Sequence, residues 1–319
     1  MSCYHPLKIF YTGRKTENGK KEGIVTKGEG EFFPLKKAWA RIGEKFWPTE
    51  GYTAIIRESG EIVLIQYDEI PCGHCIGCRK DRAADWATRI EMEIRATKQR
   101  AWFLTITYDE ANVPVSLSKR DMQLFIKRLR KKREFRYFLA GEYGEKTGRP
   151  HYHMIAIGLE PGEIKKWDKK QFVMLDLEKC WKKGRILGAP AEPGAIAYVT
   201  GYVTKKAYQL DRDWPEGIEK PFQLMSRKPG IGYEGIGRPE ISGKVYLSGG
   251  RSAPRYVKTK WENEAPELMD QAKEAAKKAA EALRLNDEHW AGTNRPELIN
   301  DRKEDICKAK EKTKMRNKI

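Results

Sequence analysis

The sequence has no run approaching the ~18 apolar residues that a membrane-spanning helix requires. Its first six residues, MSCYHP, lack the charged and then apolar regions of a secretory signal, so we expect the protein to stay in the cytoplasm where it is made. Cysteine is scarce, with six residues in 319. In a reducing compartment these cysteines are expected to be thiols or metal ligands, and not disulfides.

Acidic residues are also in deficit, with 45 Asp and Glu against 62 Lys and Arg and a net charge of +17. A basic surface attracts polyanions, of which nucleic acid is the commonest, and a membrane surface is the weaker alternative. Because 10% of the residues are also aromatic, the composition predicts a nucleic-acid-binding protein.

Three zones follow one another along the chain. Residues 1–78 alternate short strand-like runs with turn signals, which predicts a β-rich lead-in that ends in a cysteine cluster. Residues 79–225 mix helical and strand patterns. Residues 226–319 are predicted to be a basic helical extension, with a long Ala-rich helix that has Pro266 near its first turn. The charged stretch 302–319 at its end is expected to lack fixed structure.

The middle zone yields most of the predicted elements. Strands are predicted from β-branched and aromatic runs at 102–108, 136–143 and 151–158. Helices are predicted at 79–98, 163–168 and 195–208, and after a Ser118 cap. The segment 145–150 is predicted to be the hairpin turn between two of the strands.

Two of the five histidines form a His-Tyr-His motif at 151–153. In a strand, residues i and i+2 point to one face, so His151 and His153 project together as two ligands of one metal ion can. Glu142, on the preceding strand, is the predicted third ligand, and Glu145 in the turn is its rival. A solvated surface role for Glu142 stays open. Arg149 either contacts phosphate or only solvates the turn.

Tyr198 and Tyr202 lie four residues apart in a predicted helix, so they share one face, which Lys205 or Lys206 shares or flanks. Two phenols and an ammonium group suit phosphoryl chemistry. A phenol with a pKa near 10 needs a nearby cation, or deprotonation during attack, to act as a nucleophile. The alternative is an ordinary amphipathic helix whose aromatic residues face the core.

Taken in order, these motifs resemble the HUH endonuclease superfamily. The quoted motifs are the strand 103–108, Arg149-Pro150-His151-Tyr152-His153, and Tyr198-x3-Tyr202-x2-Lys205. Within that superfamily, the sequence is most similar to replication initiators of the Microviridae, especially the gokushovirus type. The segments 71–79 and 226–232 also look like that group, and the resemblance covers roughly residues 70–235.

The resemblance implies an α+β fold with a central antiparallel sheet flanked by helices, and a site-specific endonuclease that nicks and joins single-stranded DNA. His151 and His153 are implied to bind Mg²⁺ or Mn²⁺, with Glu142 a looser match. One tyrosine forms a 5′-phosphotyrosine link, the second acts in the next round, and Lys205 stabilises charge. The implied partners are the viral origin, a host polymerase and a host helicase, because the chain has no Walker motif. The implied location is the host cytoplasm.

A Cys-x2-Cys-x2-Cys run ends the first zone, formed by Cys72, Cys75 and Cys78. Such spacing lets thiolates converge on one ion, and a structural zinc is the preferred interpretation. Cys3 is the expected fourth ligand, with His5 and His74 as rivals. Unligated thiols and an iron–sulfur cluster are the alternatives.

Further DNA contacts are predicted on the basic run 127–133, which includes Arg128 and Lys131, and at Arg149 and Lys206. The run can equally be a solvated helix end that favours the helix dipole. Aromatic residues can stack on bases or belong to the core. These aromatic candidates are Trp102, Tyr137 and Tyr143.

Three functions therefore compete at this point. The first is a tyrosine endonuclease that stays covalently attached to DNA. The second is a zinc-containing DNA-binding protein without catalysis. The third is a phosphodiesterase that uses the histidine pair and water, and it leaves no covalent adduct.

Overall fold

A computed structural model describes residues 3–17, 19, 21–26, 52–56, 62–144, 147–205, 214–237, 240–242, 244–247, 251–293 and 295–316. Contacts divide the chain into two compact units, which are Met1–Cys78 with Thr293–Ile319, and Arg79–Gly292. The division into zones 1–78, 79–225 and 226–319 stays a prediction from the sequence.

The described strands are β1 (Leu7–Lys15), β2 (Lys21–Thr26), β3 (Tyr52–Ile56), β4 (Ile62–Ile70), β5 (Ala101–Thr107), β6 (Arg136–Tyr143), β7 (Pro150–Ile157), β8 (Ile164–Lys166), β9 (Phe172–Met174), β10 (Ile186–Pro190), β11 (Phe222–Met225), β12 (Glu240–Ser242), β13 (Lys244–Leu247) and β14 (Arg251–Ser252). The described helices are α1 (Ile76–Thr97), α2 (Lys119–Arg130), α3 (Leu175–Trp181), α4 (Pro193–Lys205), α5 (Arg255–Glu264), α6 (Pro266–Ala291) and α7 (Pro296–Arg316).

In the first unit, the described strands pair antiparallel in the order β2-β1-β4-β3. The chain turns between β1 and β2 at Gly19, whose φ of 74° lies in the left-handed region that glycine adopts without strain. The β1–β4 ladder pairs Leu7 with Ile70. This register brings the residues ahead of β1 level with those that follow β4.

The C-terminal stretch overturns one prediction, because residues predicted to lack fixed structure form α7 as far as Arg316. Within the first unit, His5 Nε2 lies 2.9 Å from Glu304 Oε2, and Lys308 Nζ lies 3.0 Å from the same oxygen. Pairs at i and i+4 on the helix, together with this contact to the N-terminal segment, support a helix that composition alone does not favour.

In the second unit, seven described strands form one antiparallel sheet in the order β11-β6-β7-β5-β10-β9-β8. Strand β7, which carries the His-Tyr-His motif, lies inside the sheet between β6 and β5. The predicted α+β class with a central antiparallel sheet is confirmed. The described strands β12, β13 and β14 form a separate three-stranded sheet.

Helices cover both faces of the seven-stranded sheet. On one face, α2 buries an apolar stripe against Leu104, Tyr152 and Met154. The stripe consists of Met122, Phe125, Ile126 and Leu129. Ser118 caps α2 as predicted, because its hydroxyl accepts a hydrogen bond from the Asp121 N–H.

On the other face, residues from α1 and α4 pack in one cluster with Phe138 and Ile155. These helical residues are Ile90, Ile196 and Val199. Because side chains alternate along a strand, His151 and His153 share this face with Ile155. The α1–α4 side of the sheet is therefore the side on which the histidine pair lies.

The helix predicted at 163–168 is wrong, because residues 164–166 form strand β8 and pair with β9 in a short hairpin. The pairing of the two strands overrides the local helical pattern there. Among the described residues, no helix has both the length and the apolar character needed to cross a membrane.

Candidate metal centre and nucleophile

Glu142, His151 and His153 converge on one face of the seven-stranded sheet. Glu142 pairs directly with His151 in the β6–β7 ladder. The Nε2 atoms of His151 and His153 lie 2.8 and 3.1 Å from the same oxygen, Oε1 of Glu142. Glu142 and His153 are 3% and 5% exposed, while His151 is half-buried. The group is therefore accessible to solvent on the His151 side.

Both imidazoles are held through Nδ1. The Nδ1 atom of His151 lies 3.2 Å from the Arg149 carbonyl oxygen, which can only accept, so this nitrogen carries the proton. The Nδ1 atom of His153 lies 3.3 Å from Thr105 Oγ1, on the neighbouring strand β5. A neutral imidazole protonated at Nδ1 has its lone pair on Nε2. Both Nε2 atoms then face Glu142 in the form that a metal ion binds.

The sequence analysis missed Thr105 and the carbonyl of Arg149. The available signal was the alternation along β5, in which Leu104 and Ile106 are buried on one face and the threonines occupy the other. A main-chain carbonyl carries no sequence signal at all, so only the structure could identify that partner.

The donor chemistry of this group fits a divalent cation. One ligand atom from each of Glu142, His151 and His153 lies within 4.8 Å of the others. Two imidazoles and one carboxylate leave coordination positions open for substrate oxygens and accept several divalent ions. A cation here also compensates a carboxylate that is almost fully buried.

If Thr105 orients His153, Thr105→Val should weaken Mn²⁺ binding about 10-fold, because loss of a partner that orients a ligand costs ~10–100-fold in affinity. Thr105→Ser, which keeps the hydroxyl, should bind Mn²⁺ as the wild type does. Thr107→Val is the matched control, since the Thr107 hydroxyl donates to the Arg185 carbonyl and not to a histidine. Titration with Mn²⁺ by calorimetry measures the affinities. Equal weakening in both valine variants would reduce the effect to a general loss of strand stability.

Tyr198 lies beside this group on α4. Its ring centroid is 5.5 Å from that of His153 and 6.0 Å from that of Phe103, and both contacts are edge-on. The helix is fixed because Ile196 and Val199 are buried in the core. Tyr198 itself is 45% exposed. Its ring thus combines contact with a metal-ligating imidazole and access to solvent.

Tyr202 and Lys205 continue α4, but their side chains lie outside the described part of the structure. Residues four apart share a helix face, so the backbone places position 202 on the Tyr198 face. Lys206 and Glu145 both lie outside the described residues.

Tyr152, between the two histidines, points to the opposite face of the sheet and is fully buried. Its hydroxyl oxygen lies 2.9 Å from that of Tyr108 and accepts a hydrogen bond from the Ser118 N–H. Burial raises the pKa of both phenols, and for Tyr108 the bond with Tyr152 raises the pKa further. Both tyrosines are therefore unsuited to act as nucleophiles.

The arginines predicted to contact DNA have partners within the second unit. Arg149 pairs with Glu110, and its Nη2 donates to the Tyr108 carbonyl at 3.2 Å. Arg128 is half-buried and donates to two main-chain carbonyls, at 2.6 and 3.3 Å. These carbonyls belong to Cys180 and Trp181, so Arg128 ties α2 to α3 whatever its role in DNA binding.

Lys131 is exposed at the end of α2 and lines a cavity of about 410 Å³ with Lys127, Arg130 and Tyr137. Because side chains alternate along β6, Tyr137 faces away from the side that carries Glu142. DNA bound at this cavity must pass around the sheet to reach the Glu142 group.

The other predicted aromatic contacts are engaged within the protein. Trp102 packs edge-on against Phe172 with ring centroids 6.1 Å apart. Tyr143 stacks on Trp214 at 5.5 Å, and its hydroxyl donates to the Glu219 carbonyl. The four cysteines that the sequence suggests as ligands form a second group in the first unit, described below.

The fold and this site define an α+β protein with a candidate metal centre on the face of an antiparallel sheet and a tyrosine beside it. Residues 101–207 match the family of replication-associated proteins of the ORF2 type. This segment contains every residue of the Glu142 group together with Tyr198.

The chain is similar to three phage proteins. It is 31% identical to the replication-associated protein ORF2 of Spiroplasma virus 4 over 161 residues, 44% of this chain and 49% of the relative. It is 30% identical to the replication-associated protein VP4 of Bdellovibrio phage phiMH2K over 220 residues, 62% of this chain and 69% of the relative. It is 32% identical to the replication-associated protein ORF4 of Chlamydia phage 1 over 194 residues, 54% of this chain and 48% of the relative.

The chain belongs to this family of phage replication-associated proteins. It spans about half the length of the Spiroplasma virus 4 and Chlamydia phage 1 relatives. No solved structure matches it significantly.

Proposed function

We propose that the chain is a metal-dependent tyrosine endonuclease of the HUH type. It nicks and rejoins single-stranded DNA at a phage origin, and so initiates and terminates rolling-circle replication in the host cytoplasm. The observation that carries the proposal is the convergence of Glu142, His151 and His153, with the Tyr198 ring against His153. Membership in the replication-associated family supports the biological setting.

Two groups of residues perform the cleavage step. Glu142 and the two Nε2 atoms hold Mg²⁺ or Mn²⁺, which when bound polarises the scissile phosphate as a Lewis acid. Tyr198 loses its phenolic proton to solvent and attacks phosphorus. The P–O3′ bond breaks, the 3′ oxygen takes up a proton, and a 5′-phosphotyrosine ester remains.

The second tyrosine of α4 completes the cycle. Tyr202 attacks at the regenerated origin after one genome length has been copied, and the freed 3′-hydroxyl then attacks the first phosphotyrosine. Each step exchanges one phosphodiester for another, so joining needs no nucleotide. Lys205 stabilises the developing charge beside the phenols. A host helicase and a host polymerase open and copy the duplex.

The test is a cleavage assay with oligonucleotides that tile the genome encoding this chain. Each oligonucleotide is incubated with the full-length protein, with and without Mn²⁺ or Mg²⁺, and separated on a denaturing gel. We expect one sequence to give a metal-dependent protein–DNA band that resists SDS. Cleavage without a covalent band would favour hydrolysis by water, and binding without cleavage would favour a DNA-binding protein that contains zinc.

A further inference from the structure

Four cysteine sulfurs converge in the first unit, away from every residue used in the proposed function. They come from two distant parts of the chain, the segment ahead of β1 and the segment from the end of β4 into α1. The residues are Cys3, Cys72, Cys75 and Cys78, and their sulfurs lie within 4.8 Å of one another. All four are free thiols.

The spacing of the sulfurs matches tetrahedral coordination. Sulfurs bound at about 2.3 Å to one zinc ion stand about 3.8 Å apart along the edges of a regular tetrahedron. Cys72 Sγ lies 3.9 Å from Cys78 Sγ, and Cys75 Sγ lies 3.9 Å from Cys3 Sγ. Neither pair is at the ~2.05 Å of a disulfide. Two opposite edges of the group therefore have the length that one zinc ion requires.

Main-chain N–H groups point at three of these sulfurs. Cys72 N donates to Cys3 Sγ at 3.3 Å, and Cys75 N donates to Cys72 Sγ at 3.3 Å. Tyr4 N donates to Cys75 Sγ at 3.4 Å. Hydrogen bonds of this kind stabilise the thiolate, which is the form that binds metal. The positive φ of Gly73, 81°, forms the tight turn that presents the cysteine run to Cys3.

We propose that Cys3, Cys72, Cys75 and Cys78 bind one structural zinc ion. The four-thiolate donor set selects a soft ion and leaves no open position, so the site is structural and not catalytic. It fastens the segment ahead of β1 to the chain that follows β4 and to the first turn of α1. The rivals for the fourth position have other roles, since His5 contacts Glu304 and His74 is exposed outside the group.

The experiment measures metal content and coordination in the full-length protein purified under reducing conditions. Elemental analysis should give about one zinc per chain. Cys72→Ser should lose the zinc, whereas Cys180→Ser, a matched cysteine outside the group, should keep it. The double variant His151→Ala, His153→Ala should also keep it, which separates this site from the proposed catalytic metal and from the outcome of any cleavage assay.

Cobalt substitution of the wild-type protein keeps the test independent of whether the serine variant folds. Co²⁺ in a four-thiolate site should show intense sulfur-to-metal charge transfer and visible bands of tetrahedral cobalt, and about one Zn²⁺ per chain should displace it. A protein without zinc that fails to bind Co²⁺ would overturn the proposal. So would stoichiometric iron with inorganic sulfide after anaerobic purification, or zinc that stays in Cys72→Ser but leaves with the two histidines.

Discussion

Replacing Tyr198 with phenylalanine is expected to remove the covalent protein–DNA band from the first cleavage of an origin oligonucleotide. The substitution deletes only the nucleophilic oxygen and keeps the ring that packs against His153 and Phe103. Loss of a nucleophile without loss of the fold should lower the cleavage rate by at least about 10³-fold. The measurement is single-turnover cleavage of labelled DNA on a denaturing gel.

Tyr152→Phe is the matched control, because it removes a hydroxyl from the tyrosine between the two histidines. That hydroxyl accepts a hydrogen bond from Ser118 on the opposite face of the sheet, so this variant should lose about 1–3 kcal/mol of stability and keep the covalent band. Tyr202→Phe alone should permit the first cleavage and block the joining of a second strand. A covalent band that survives in the Tyr198→Phe, Tyr202→Phe double variant would refute the tyrosine mechanism.

Glu142→Gln is expected to abolish metal-dependent cleavage while the protein stays folded. Glutamine fills the same volume and can still hydrogen-bond to the imidazoles, but it lacks the negative charge that attracts a divalent ion. We expect Mn²⁺ affinity to fall by at least about 100-fold, at the upper end of what losing an orienting partner costs. His153→Ala, which removes a ligand directly, should be at least as severe. Mn²⁺ titration and cleavage rates measured on the same preparations test both expectations.

Glu110→Gln is the control for a change of charge near the site. Glu110 pairs with Arg149, but its side chain is 85% exposed and is not part of the Glu142 group. Its loss should leave Mn²⁺ affinity within about threefold of the wild-type value, because screened surface pairs contribute little. If Glu142→Gln binds Mn²⁺ as tightly as this control does, Glu142 is only an ion-pair partner of the histidines and the proposed metal centre is wrong.

Local pattern was sufficient to predict several elements of the fold. The β-branched run at 102–108 forms β5 over 101–107, and Ser118 caps α2. Such elements depend on side-chain periodicity and capping, which are properties of neighbouring residues. The predictions at 163–168 and 302–319 failed because strand pairing and contacts with distant segments decide those stretches. Neither leaves a periodic signal in the sequence.

The candidate site divides in the same way. That His151 and His153 share a face follows from the two-residue period of a strand, and that positions 198 and 202 share a face follows from the helical period. The sequence could not choose between Glu142 and Glu145, since only the register of β6 against β7 brings Glu142 opposite His151. The role of Thr105 depends on a second ladder, between β5 and β7.

By itself, the sequence determined the basic character, the strand that carries two imidazoles and the spacing of three cysteines, because each is set by composition or by residues a few positions apart. The tertiary structure alone decided which carboxylate joins the histidines, that Tyr198 stands against His153, that Cys3 completes the cysteine group, and that the basic end of α2 lies on the opposite face. These placements depend on strand register and helix packing, which arise from contacts between residues far apart in the chain.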